Sequence, residues 1–109
     1  MSKWVAALLF GAGVSLTAWA DGKFDAQGFA EEMAQEAKVK DLLLTDTGNI
    51  YVGMLDNGSN RDGYAMYVCE VARAHASGEL DPKIIRIIDI VKVSNGEGFH
   101  DLGRTYCKF

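Results

Sequence analysis

Proline occurs once in this chain, histidine twice and cysteine twice. A single proline excludes a Pro-rich linker or a polyproline ligand. Two histidines and two distant cysteines, with no C-x-x-C, give neither a zinc spacing nor a thioredoxin-type redox motif. Positive charge is also scarce: 11 Lys and Arg stand against 15 Asp and Glu, a net charge of −4. An acidic chain without a basic stripe is poorly suited to nucleic acid or anionic lipid, since both are bound through positive charge. No apolar run reaches the roughly 20 residues a membrane-spanning helix needs. The sequence therefore offers no nucleic-acid partner, no stable membrane insertion and no cofactor motif.

What is present starts at the N-terminus. Met1-Ser2-Lys3-Trp4 is short and positive, Val5 to Leu16 is apolar apart from Gly11, Gly13 and Ser15, and Ala18-Trp19-Ala20 has small residues at the −3 and −1 positions of a signal peptidase site. The pattern predicts a cleaved signal peptide over residues 1–20 and a single domain over 21–109. No cysteine near the cleavage point suggests a lipid anchor, and the brief n-region is of bacterial type. The expected location is periplasmic or secreted, and removal of Lys3 makes the remaining chain more acidic.

In such a compartment Cys69 and Cys107 are expected to pair. The bond would close a loop of about 38 residues, for which chain entropy gives about 3–4 kcal/mol. For a domain this small, a term of that size decides whether it folds.

Periodicity predicts a helix over 25–40, with Phe29, Ala30, Met33, Ala34 and Ala37 on its apolar side and Asp25 as its cap. Leu42–Thr45 and Ile50–Leu55 flank a Gly/Asn/Asp cluster and read as a hairpin, with Gly53 marking a bulge or a close neighbour. A second helix follows over about 62–77, with Asp62 as N-cap and Gly78 at the C′ position. Ile84–Val93 is dense in β-branched residues and reads as an interior strand, in preference to a helix started by Asp81-Pro82. Arg104–Lys108 is expected to return as a last strand carrying Cys107. The fold class is α+β: a small mixed sheet of about three or four strands, two helices packed on it, and a βαβ crossover around residues 50–93.

No residue set demands a particular chemistry. Gly58 and Gly63 have the spacing of a phosphate loop, but Tyr64 and Ala65 replace the Lys and Ser/Thr that would hold phosphate and Mg²⁺. Asp56, Asn57, Asn60 and Asp62 are calcium-type donors, yet the sixth and twelfth loop positions hold Arg61 and Tyr67 instead of Gly and Glu. Turns and a helix cap explain the loop more simply. His75 belongs at the end of its helix, and His100-Asp101 are badly placed to orient one another. Glu31, Glu32 and Glu36 form a solvated helix face. Asp89, set among isoleucines, needs a partner such as Arg86, Lys92 or Arg104.

Asp56, Asn60, Arg61 and Asp62 in this loop are the candidate binding residues, with Phe99 and His100 in the Gly-rich turn. Phe99 is the aromatic residue least explained by packing. No catalytic or metal-ligating residue is assigned. The reading is a small exported, disulfide-closed, non-catalytic module that binds an envelope protein or a small ligand. A small hydrolase or metal-dependent enzyme is the alternative, requiring His75 or His100 to converge on an acid or serine. A homo-dimer or larger homo-oligomer, built by pairing a strand edge or sheet face, is the other.

Overall fold

A computed structural model describes residues 23–109, so the expected leader over residues 1–20 lies outside the described residues. In chain order the elements are α1 (Ala26–Ala34), β1 (Asp41–Leu44), β2 (Ile50–Met54), α2 (Asp62–Ala74), β3 (Lys83–Asp89), α3 (Ile90–Ser94) and β4 (Asp101–Cys107). The sheet runs β1-β2-β3-β4. β1 and β2 form the expected antiparallel hairpin, β2 and β3 run parallel through the α2 crossover, and β3 and β4 are antiparallel. The architecture is the α+β fold the sequence predicts, with β3 in the interior and β4 beside it.

The two longer helices lie on one side of the sheet. Phe29, Ala30 and Met33 from α1 and Ala65, Val68, Val71 and Ala72 from α2 share one buried cluster with Leu42, Leu44, Ile50, Val52, Met54, Ile85, Ile87 and Cys107. The period-2 alternation of the strands and the 3–4 spacing of the helices meet there, which is how amphipathic elements hide apolar area. A disulfide joins Cys69 of α2 to Cys107 of β4, with Cα atoms 5.5 Å apart. Lys83 is buried beside this bond, paired with Cys107 across the sheet, its ammonium 6.0 Å from the Phe24 ring and 5.8 Å from the Phe109 ring. The two rings meet edge-on, centroids 6.3 Å apart, so the cluster draws the two ends of the described chain together.

Several boundaries differ from the expected ones. The first helix stops at Ala34, short of residue 40. Its cap is as expected, since the Asp25 side chain accepts from the Gly28 N–H. The second helix ends at Ala74, and Gly78 lies beyond the C′ position. Arg61, not Asp62, is its N-cap, and no side chain caps it. Asp62 instead accepts from the Arg104 N–H at 2.9 Å, joining the helix start to β4.

The stretch Ile84–Val93 is a strand only as far as Asp89. There the carboxylate turns back and accepts from the N–H groups of Val91 and Lys92, opening α3. Asp89 therefore has backbone donors as partners in place of the expected Arg86, Lys92 or Arg104 side chains. A carboxylate at an N-cap competes well with strand propensity, because it satisfies donors that would otherwise lack a partner.

Gly53 has the close neighbours its sequence context suggests. A Cβ there would sit 2.9 Å from Ile90 Cδ1 and 3.2 Å from Asp41 Cβ. Gly103 is tighter still. A Cβ there would meet the Arg61 and Asp62 backbone at 2.2 and 2.4 Å.

Candidate functional site

The face of the sheet opposite α1 and α2 carries the most developed side-chain cluster. The register aligns Leu43, Tyr51, Arg86 and Arg104 in one row across all four strands. β4 has an irregularity where Ile87 pairs Gly103 and Ile88 pairs Asp101, leaving Leu102 as an extra residue. A bulge of this kind re-aims side chains. It brings Asp101 to the same face as Arg104, three residues on, although strict alternation would oppose them.

Arg86 is the centre of the cluster. Its Nε donates to Asp101 Oδ1, its Nη1 to the Tyr51 hydroxyl at 3.0 Å, and its Nη2 to the Phe99 carbonyl at 3.4 Å. The guanidinium carbon stands 4.7 Å from the Tyr51 ring centroid. The Phe99 ring meets Tyr51 edge-on, centroids 5.2 Å apart. Asp101 Oδ2 in turn pairs with Arg104 Nε at 3.0 Å. Burial alone would lower the Arg86 pKa, but the hydrogen bonds with Asp101 and Tyr51 outweigh it and hold the group above its ordinary value. The guanidinium is therefore a fixed positive charge, anchored on three sides.

Phe99 is 44% exposed and Tyr106, farther along β4, is 58% exposed, with the Lys108 ammonium 6.0 Å from its ring. Two aromatic side chains and two cations thus stand on a rigid sheet surface. Aromatic residues and Arg dominate the binding energy of protein interfaces.

The loop at 56–62 divides by role. Asp56 accepts from the Gly58 N–H, Asn57 from the Ser59 N–H, and Asn60 from the Asp62 N–H, so these side chains fold the loop on itself. This is the turn-and-cap reading expected for the segment. Arg61 does more. Its N–H donates to the Leu102 carbonyl, and its Nη2 to the Leu55 carbonyl at 3.0 Å. Its Nε is buried without a partner. Arg61 also lines an open cavity of about 230 Å³ with Ala37, Lys38, Lys40, Leu55 and Asn57.

The six candidate binding residues therefore do not form one site. Asp56, Asn60, Arg61 and Asp62 belong to the loop that enters α2, in the helical layer. Phe99 belongs to the opposite face through Tyr51. His100 is held locally, its Nε2 3.0 Å from the Glu97 carbonyl oxygen. Sequence reasoning missed Tyr51, Arg86, Asp101 and Arg104 as a group, and Lys38 and Lys40 beside the cavity. An arginine inside an isoleucine-rich strand was the available signal, but its partners depend on strand register.

His75 lies between two carboxylates: Nε2 is 2.7 Å from Glu32 Oε1, and Nδ1 is 3.8 Å from Asp25 Oδ2. With both ring nitrogens facing acids, this histidine ties the end of α2 to α1. Tyr67 donates to Glu36 Oε2 at 2.8 Å. Beside it, burial first and then the Glu36 charge push the Tyr64 hydroxyl up to about 12. Among the described residues, no group of three or more His, Cys, Asp or Glu is placed to hold a metal ion, and no helix is long and apolar enough to cross a membrane. No protein-family model, curated protein or solved structure matches the chain. The reading of its role rests on this geometry.

Proposed function

We propose that this chain is an exported, non-catalytic binding module that holds an envelope protein against the face of its sheet opposite α1 and α2. The observation that carries this reading is the Tyr51–Arg86–Phe99 cluster, locked by Asp101 and flanked by the exposed Arg104 and Tyr106. A preorganised surface loses little side-chain entropy on association, so its contacts convert efficiently into affinity. The positive groups on this face, Arg104 and Lys108, contrast with an acidic chain and with the Glu-rich α1. They favour a partner that presents carboxylates here. Export is supported by the leader-like pattern of residues 1–20 and by the disulfide, a bond suited to an oxidising compartment.

Photo-crosslinking in the producing cell tests this reading. A benzophenone side chain is placed at position 106 and, as a control, at position 31 on α1. The expected result is one heterologous adduct from position 106, absent from position 31 and abolished by Arg104→Glu. Adducts only to a second copy of the chain, or equal adducts from both positions, would overturn it.

A further inference from the structure

The cavity beside Arg61 has no part in the sheet-face reading, and it has chemistry of its own. Three chain segments meet there: the exit from α1, the exit from β2 and the entry to α2. Each supplies at least one lining residue: Ala37, Lys38 and Lys40 from the first, Leu55 and Asn57 from the second, and Arg61 from the third. Three basic residues line one opening, the Lys40 ammonium donating to the Ala37 carbonyl at 3.3 Å, and among the described residues no carboxylate lines it. Like charges repel when gathered this way, and the chain as a whole has a surplus of acids.

The Arg61 guanidinium is positioned by the Leu55 carbonyl, while its buried Nε–H has no acceptor. A buried donor without an acceptor is costly. Ala37 and Leu55 are the apolar residues of the lining, and the stems of long cations add apolar surface. A cavity of about 230 Å³ is small for a binding site. Ligand pockets usually run from about 300 to 1,000 Å³. A small ligand suits it best.

We infer that this cavity binds a small organic carboxylate: an anionic head for Lys38, Lys40 and Arg61, with a short apolar body against Ala37 and Leu55. The anion neutralises the three clustered charges. The site lies where β2 gives way to its crossover helix.

The test is an amide chemical-shift titration of the oxidised chain with hexanoate, 1-hexanol and inorganic phosphate as separate probes. Hexanoate should give saturable shifts at Lys40, Leu55, Asn57 and Arg61. Hexanol and phosphate should bind at least about tenfold more weakly, because each lacks one of the two recognised features. Arg61→Gln should weaken hexanoate about tenfold as well, given a charge-assisted hydrogen bond. If Arg61→Gln impairs folding, the surface double variant Lys38→Gln/Lys40→Gln carries the test, and it too should weaken binding. The inference fails if hexanoate produces no saturable shift, if phosphate or hexanol binds as well as hexanoate, or if the double variant binds hexanoate unchanged. The cavity and the sheet face share no residue, so failure here is distinguishable from failure of the crosslinking test.

Discussion

Arg86 and Tyr64 show how single side chains set both stability and surface. Removing Arg86 would leave Asp101, the Tyr51 hydroxyl and the Phe99 carbonyl without their common donor. Arg86→Ala should therefore cost about 2–3 kcal/mol in urea unfolding and release the 95–100 loop, seen as faster amide exchange there. Tyr64 responds to pH in the opposite direction from a paired acid. Its folded-state pKa is raised from 10.0 to about 12 by burial and by Glu36. The protonated phenol is thus favoured in the native state. Its contribution is complete below the unfolded value and is lost as pH rises through about 10 to 12. Tyr67, hydrogen-bonded to Glu36, is raised as well, so a tyrosinate absorbance titration should show late tyrosine ionisation, with the Tyr64 step accompanied by loss of ellipticity. In Tyr64→Phe that coupled step should disappear. Neither residue stood out in the sequence. Tyr64 figured only as a departure from the phosphate-loop pattern, and an arginine's neighbours across a sheet become visible only with the register.

At the scale of elements, the amphipathic signals were legible and the ends were not. Phe29 and Met33 marked the first helix by spacing alone, and the run Ile50–Leu55 marked a strand. The strand-to-helix switch at Asp89 was hidden because Ile90, Val91 and Val93 continue the β-branched run. The side-chain cap decides it, a local hydrogen-bond effect that propensity does not register. Asp89→Ala should thus cost about 1–2 kcal/mol, and Asp89→Asn, which keeps an acceptor, much less, both read from chemical denaturation. Gly103 was likewise silent in the sequence. Its role is to let β4 and the start of α2 touch backbone to backbone. Gly103→Ala should cost about 3 kcal/mol, since the atoms in its way are main chain and cannot rotate aside. The candidate site was half legible: Arg61 and Phe99 were singled out, but they serve opposite faces of the sheet, a separation that depends on the crossover.

For the whole molecule, one layer of helices covers one face of a four-stranded sheet, and the other face carries aromatic and cationic groups. The Cα radius of gyration is 13.0 Å, as expected for a compact chain of this length. The disulfide couples the two layers. Cys69→Ser/Cys107→Ser should lower stability by about 3–4 kcal/mol and Tm by roughly 15–25 °C, measured by calorimetry. The asymmetry between faces is the basis of the functional proposal, and a footprint tests it most directly. Hydrogen exchange is compared for the oxidised chain alone and in complex with the partner trapped at position 106. The account predicts that protection falls on β3, β4 and residues 99–106, with α1 and the outer surface of α2 unchanged. Protection centred on those helices, with the sheet face still exchanging freely, would contradict it.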